Sequence, residues 1–474
     1  MGNRAFGDHV VADAHSNPLI IGAGPAGLTA ALRLADRGVT ARIYEATGGV
    51  GGLARTPRSG EWRVDPGGHR FFTRDEEVLD LWNSLLPSDQ WTSVRRRSAM
   101  LVDRHYVRYP LVGRDLLTQM GVRRGLYGLS SLIWSRVRRQ MRLVDDSASF
   151  REWGTNEFGR YWYRIFFDGY VRKTWVADPD DIASDWANQR IKPIGWRRGG
   201  DEAGAADAFR YPRHGPGQLW EAAAATLADR GVCPSFNSPV HKVRFDGRNW
   251  TLELQNGDTA SGDAVFSSMP LQALVDALEP APPKDIRAVA ASLKHRALIT
   301  VAVALRKHYD IPYNWVYLPG RGFQAGRVQN YELWSSELTP EHWHGTYLGF
   351  EYFVGPDGDL LTADDERMRG IVEEDLRALG IDSEVEHVMV VRSPFAYPIY
   401  DPARDASVAR IGDFLRRNYP TLHPIGRNGM HRYDNQDHAM LSAMHSVARY
   451  FGENVDPWQV NTDRGYHERG LLRS

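Results

Sequence analysis

Gly22, Gly24 and Gly27 follow the apolar triplet Leu19-Ile20-Ile21, and the acid Glu45 closes the next apolar run, "TARIYEA". Residue types at this spacing can hold a dinucleotide. Glycines, with Ala26 among them, let backbone N–H groups approach a pyrophosphate at a helix N-terminus, while the acid can take a ribose hydroxyl pair. The helix this needs is present in "LTAALRLADRG", amphipathic and ended by Gly38. A lone G-x-G-x-x-G is weak, but here strand, helix, second strand and acid all stand in the required order. A second group of chemistry-bearing residues lies some 400 positions later, in "HRYDNQDHAM" (431–440). It opens a helix with far more hydrogen-bonding groups than a cap requires.

The bulk numbers narrow what these residues can serve. The chain has 474 residues, 42% hydrophobic and 25% charged, with a formal net charge of −1. That composition is globular and carries no field favouring nucleic acid or an anionic membrane as a whole-molecule partner. The single cysteine, Cys233, excludes an internal disulfide and offers no thiolate cluster, so no metal site is expected. The first sixteen residues lack the apolar core of a signal peptide, and no run reaches transmembrane length. The expectation is a cytoplasmic protein with a small-molecule partner; homo-oligomerisation is left open.

The elements that must position the chemistry follow from pattern. Helix is expected over 114–143, with arginines among Leu, Ile and Trp; such a helix could lie on a membrane, and a solvated face is the preferred reading. Further helices are expected over 149–176 and 180–193. Residues 238–270 alternate as a β-meander, and 295–355 reads as successive strands of an antiparallel sheet. The expected fold is α/β: a Rossmann-type domain in three segments (17–108, 205–292, 387–465), with a helical insertion (109–204) and an antiparallel-sheet insertion (293–386).

"GGVGGLARTPRSGEWRVDPGGHRFF" (48–72) follows Glu45 directly. Its Gly51, Gly52, Leu53 and Arg55, then Gly67-Gly68-His69, resemble the FAD fingerprint of the amine-oxidase and UDP-galactopyranose mutase superfamily. Consecutive glycines suit backbone lying flat on a large planar ligand. "GRNGMHRYDNQDHAM" further resembles the C-terminal motif of eukaryotic-type UDP-galactopyranose mutases, and ordered matches run from about 18 to 452. The resemblance implies FAD held also by Val243, Arg427, Asn435, Gln436 and Asp437, with His438 at the helix entry. It implies His69 over the flavin, and a substrate lined by Tyr109, Phe166, Trp315, Tyr317, Tyr397 and Tyr433. Arg190 and Arg327 would clamp a diphosphate, and Tyr433 and Asn435 would face the open side of the ring.

In that family reduced FAD attacks the anomeric carbon of a nucleotide sugar through N5. The pyranose and furanose forms interconvert through a covalent flavin–sugar intermediate with no net redox change. NADPH or NADH is a candidate electron donor, although no second G-x-G-x-x-G is present. The chain departs from the uridine-specific pattern at Tyr109-Pro110-Leu111-Val112, which lacks an amide, and at Trp334, where a tyrosine is expected. Base and sugar therefore stay open. The alternative reading is an FAD-dependent oxidoreductase of the amine oxidase, protoporphyrinogen oxidase or desaturase type.

Overall fold

The computed structural model describes residues 16–141, 149–182 and 208–462. Arg190 and most of the helix expected over 180–193 lie outside the described residues. Four short strands, Arg42–Tyr44, Leu19–Ile21, Val265–Ser267 and Leu422–Pro424, lie parallel in that spatial order. Strands this short have no room for alternation, and Leu19, Ile20, Val265 and Phe266 are completely buried. Helices Pro25–Asp36, Gly217–Asp229 and Gln436–Tyr450 share one core through Leu28, Leu32, Leu219, Trp220, Met440 and Ala443. The dinucleotide domain is thus assembled from three distant stretches of chain. The meander forms as expected, as a sheet in the order Thr259–Gly262, Trp250–Leu254, Val240–Phe245, Leu278–Glu279.

The large sheet differs from expectation in two respects. Its seven strands run Val385–Pro398, His295–Leu305, Thr346–Val354, Arg327–Asn330, Trp315–Tyr317, Ser98–Val102, His105–Tyr109. It therefore recruits residues on both sides of 293–386. It is also mixed, because Trp315–Tyr317 pairs in parallel with Ser98–Val102 while the other pairings are antiparallel. The central strand His295–Leu305 is covered on both faces: Ile299, Val301 and Val303 enter one core, Ala302 and Ala304 another. Its sequence consequently lacks polar alternation.

The expected helix over 114–143 is two helices, Gly113–Gln119 and Val122–Gln140, broken at Gly121 with φ +83°. Its outer face is exposed, yet it carries large apolar side chains beside the arginines. The inward positions are small, Gly125, Gly128 and Ser135 with Leu132, and the large apolar side chains point out. Gly128 is required, because a Cβ there would come within 2.1 Å of the Trp162 ring.

Where the large sheet meets the C-terminal segment, the rings of His295 and His431 pack edge-on with centroids 4.6 Å apart. Burial holds His295 down at about 4 and His431 down at about 2, the latter aided by His295 and Arg404. Both are neutral in the fold, whereas the unfolded chain takes up protons below about 6.5. The unfolded state then binds more protons, so stability is complete above that value and is lost as the pH falls toward 4. His295 alone accounts for about 3 kcal/mol over this window. Urea midpoints should fall between pH 6.5 and 4 in the parent, and fall less in His295→Met; parallel curves would exclude this pair as the cause.

Candidate functional site

The glycine turn is built as a cradle. Gly22 has φ +99°, and a Cβ there would lie 2.2 Å from Ser268 Oγ. A Cβ on Gly27 would lie 1.9 Å from the Gly22 carbonyl oxygen, so only glycine lets the helix start this close to the strand. Gly24 is the N-cap of Pro25–Asp36 and supplies no capping side chain, which leaves first-turn amides for a ligand. Bare backbone faces it: a Cβ on Gly52 would lie 3.2 Å from Gly24 Cα. Glu45 ends the second strand as expected, and its carboxylate accepts from Ala23 N at 2.8 Å and from Thr47 N and Oγ1 at 2.8 and 2.7 Å. The acid therefore braces the turn, with lone pairs remaining for a ribose. Arg55 donates to the carbonyls of Gly52 and Arg392, both at 3.0 Å, tying the turn to the large sheet.

Leu53 stands where this turn opens into a cleft with about 1320 Å³ of empty space, its open mouth included. Gly67 (φ +115°) and Gly68 (φ +65°) form one wall, the latter packed against Trp315. Tyr109, Tyr317, Tyr397 and Tyr433 line the cleft, as do Arg327, Arg427 and Asn435. Tyr397 and Tyr433 stack with centroids 5.3 Å apart. Arg427 is fixed by donating to the carbonyls of Asp434 and Ala396 at 2.8 and 2.9 Å. Gln436 begins the C-terminal helix, accepts from Trp220 Nε1 at 2.8 Å, and keeps a buried Nε2 with no partner. His438 Nδ1 accepts from the Asn435 amide at 3.4 Å, closing the helix entry.

Three expected residues are not brought to the cleft. Phe166 is fully buried against Trp162, and its neighbour Phe167 lines the cleft instead. The cause is a wider, π-type turn over Tyr163–Asp168, which rotates the succession of side chains. Val243 is paired on both edges, to Leu252 and Leu278, with its side chain in the core. Backbone nearer to Glu45 comes from Ser235 and Ser238, which exchange hydrogen bonds with it. Asp437 is buried away from the cleft lining, and burial pushes its carboxyl up against the opposing effect of His438.

The polar residues beneath the cleft were missed. His69 Nδ1 donates to Asp65 Oδ1 at 2.6 Å, and its backbone amide donates to Oδ2 at 2.7 Å. Tyr211 also donates to Oδ2, at 3.0 Å. A carboxylate only accepts, so a proton stands on His69 Nδ1, and in the neutral ring Nε2 is the acceptor. Arg327 Nε donates to Glu351 Oε2 at 2.7 Å, and Nη2 reaches the same oxygen. Gln329 Nε2 joins the two pairs, donating to Glu351 Oε1 at 2.9 Å and to the Asp65 carbonyl at 3.4 Å. Burial alone would neutralise both members of the Arg327–Glu351 pair. The carboxylate outweighs that for Arg327, whose pKa is raised, and an arginine cannot surrender its proton here. Arg70, Phe72 and Tyr170 also line the cleft. The net lining is three arginines, Arg70, Arg327 and Arg427, with no carboxylate among the described lining residues.

The flavin-containing amine oxidoreductase model matches residues 25–408. The chain belongs to that family. Members of it bind FAD, and the bare Gly24–Gly52 approach, the uncapped helix start and the unpartnered Gln436 Nε2 fit that cofactor. A protoporphyrinogen oxidase 2 of Arabidopsis thaliana is 26% identical over 90% of this chain and 93% of its own length. Among solved structures, a reduced UDP-galactopyranose mutase superposes with TM-score 0.83 at 21% identity, covering 94% of this chain and 98% of that one. A cyclohexylamine oxidase of Brevibacterium oxydans superposes with TM-score 0.63 at 16% identity, over 92% of this family member and all of its own chain. At these identities the two structures establish the fold alone. The cradle gives a direct prediction. An alanine Cβ at Gly24 meets the protein only at ordinary contact, 3.6 Å from Gly52 Cα, while projecting beside the uncapped amides. Gly24→Ala should fold with an unchanged far-UV spectrum yet purify colourless; a yellow variant would remove the turn from the cofactor site.

Proposed function

We propose that the protein is a flavin-dependent mutase interconverting the pyranose and furanose forms of a nucleoside-diphosphate hexose. The observation that carries this reading is a cleft lined, among the described residues, by three arginines and no carboxylate, which suits a substrate bearing two adjacent negative charges. Glu351 occupies Nε and Nη2 of Arg327, and Nη1 has no protein partner among the described residues. Arg327 is thus held charged and aimed, ready for a phosphate oxygen. The Tyr397 hydroxyl, 3.5 Å from Arg327 Nη2, is placed to donate to the same anion. Trp315 and Tyr317 offer flat apolar surface for a base or sugar, with ring planes 12° apart. His69 Nε2 can accept a proton or hydrogen bond at the glycine wall. Gly67, Gly68, His69, Asn435 and Gln436 would hold the flavin ring, and FAD, when bound and reduced, would supply an electron-rich nucleophile. Arg190 remains part of the proposed diphosphate clamp, and NADPH or NADH the proposed reductant.

A second reading, oxidation of an anionic substrate by FAD, draws support from the 26% identity to the protoporphyrinogen oxidase over nearly the whole chain. The arginines would then grip substrate carboxylates. The two readings separate in one anaerobic experiment. A panel of nucleoside-diphosphate hexoses is incubated with oxidised and with dithionite-reduced protein, and the sugars are resolved by chromatography. Ring-isomerised product from the reduced arm alone is expected. No product in either arm, with bleaching of the oxidised flavin by a carboxylated substrate, would replace the mutase reading by the oxidase one.

A further inference from the structure

Among the described residues, six of the ten most exposed large apolar side chains belong to one stretch, 122–141. Val122, Leu126, Tyr127, Ile133, Trp134 and Met141 are each between 54% and 68% exposed. On helix Val122–Gln140 and its C-cap they share one side, opposite the inward Gly125, Gly128, Leu132 and Ser135. The helix is amphipathic with its sense reversed, since small residues pack inward and large apolar ones are presented outward. Five arginines, Arg123, Arg124, Arg136, Arg138 and Arg139, accompany this strip, and the helix contains no acidic residue. Among the described residues, Arg124 pairs with Asp103 at 2.6 Å and Arg139 with Glu157 at 3.0 Å. In a chain of net charge −1 this is a local concentration of positive charge.

We propose that this helix is a docking surface for an anionic lipid bilayer, on which it lies in the interfacial plane. Trp and Leu on one face, with Arg123 among them and Arg136 and Arg138 at the margins, are what such a surface selects: apolar area enters the acyl boundary while guanidinium groups meet lipid phosphates. The helix lies on the membrane and does not cross it, for no helix of the described residues is long and apolar enough to span. A second copy of the chain is a poorer occupant. Paired across a two-fold axis, the strip would bring arginine-bearing margins against one another, with no acid on either helix to answer them. The surface also stands close to the cleft, because Leu132 shares a core with Phe167 and Val171, which line it. Docking would place the substrate-binding side of the molecule near the bilayer.

The test is flotation of the full-length yellow protein with phosphatidylcholine vesicles, with and without phosphatidylglycerol, at low and high salt. Binding is expected only with phosphatidylglycerol and should weaken with salt. The double substitution Leu126→Glu and Trp134→Glu should reduce partitioning about tenfold or more, with the flavin spectrum unchanged. A second variant, Arg136→Gln with Arg138→Gln, should weaken binding while keeping the apolar strip. Absence of binding to phosphatidylglycerol vesicles would overturn the proposal. So would a concentration-dependent dimer, seen by light scattering, that the glutamate variant abolishes.

Discussion

Glu351→Leu should destabilise the protein by about 3–5 kcal/mol, because it strands the buried Arg327 guanidinium without its carboxylate partner. Glu351 is fully buried, and Arg327 is nearly so, wedged over Trp315 and Phe353 at 4.8 and 5.1 Å. Arg327→Met should cost a similar amount, for it leaves a buried carboxylate with only Gln329 as donor. A single substitution therefore confuses folding with binding. The double variant Arg327→Met with Glu351→Leu removes both charges and should recover most of the stability, since an apolar pair of similar volume often replaces a buried ion pair without loss. Urea denaturation of the four proteins gives the coupling. Calorimetric titration with a nucleoside diphosphate then separates the roles: the double variant should remain folded and yellow but bind the diphosphate at least tenfold more weakly. Unchanged affinity would remove Arg327 from the anion clamp.

Asp65→Asn should lower turnover by about 10²–10⁴-fold, the range over which a misplaced proton costs a positioned acid or base. An asparagine offers one acceptor where the carboxylate serves His69 Nδ1, the His69 amide and Tyr211 together. Its amide hydrogens also favour the opposite imidazole tautomer, with Nδ1 as acceptor and the proton on Nε2. Loss of a buried partner depresses stability as well, so stability alone does not test the assignment. The deciding readout is non-additivity in kcat: Asp65→Asn should cause little further loss once His69→Gln is in place, because it acts through that imidazole. Independent losses that multiply in the double variant would reduce Asp65 to a structural role.

The glycine turn and the entrance of Gln436–Tyr450 were legible because their signals are local: each glycine answers a steric demand set by neighbours close in sequence or by a helix end. Asp65 and Glu351 were not. Glu351 is one charge in an apolar run and Asp65 one of several charges near the Gly67-Gly68 pair, and the meaning of each comes from partners on other segments, Tyr211 for Asp65 and Arg327 for Glu351. Phe166 was misplaced because a wider helical turn changes which of two adjacent aromatics faces the cleft, and no local pattern announces that turn. The sense of Val122–Gln140 was not legible for another reason. Apolar periodicity marks a face but not its sense, and the small residues Gly125 and Gly128 prove to be the packed side. The extra partners of the large sheet, residues 98–109, lie too far from 293–386 for pattern to connect them.

The dinucleotide domain closes only when Leu422–Pro424 joins Val265–Ser267 and the helix Gln436–Tyr450 covers Pro25–Asp36. A ribosome releases the glycine turn first and these closing elements last. Through most of synthesis the turn therefore lacks its C-terminal cover, and the apolar side of Pro25–Asp36 is open to chaperones and to aggregation. Retaining the cofactor should therefore require these closing elements, and a truncation before about residue 420 should leave a product that cannot retain flavin even though the glycine fingerprint is intact.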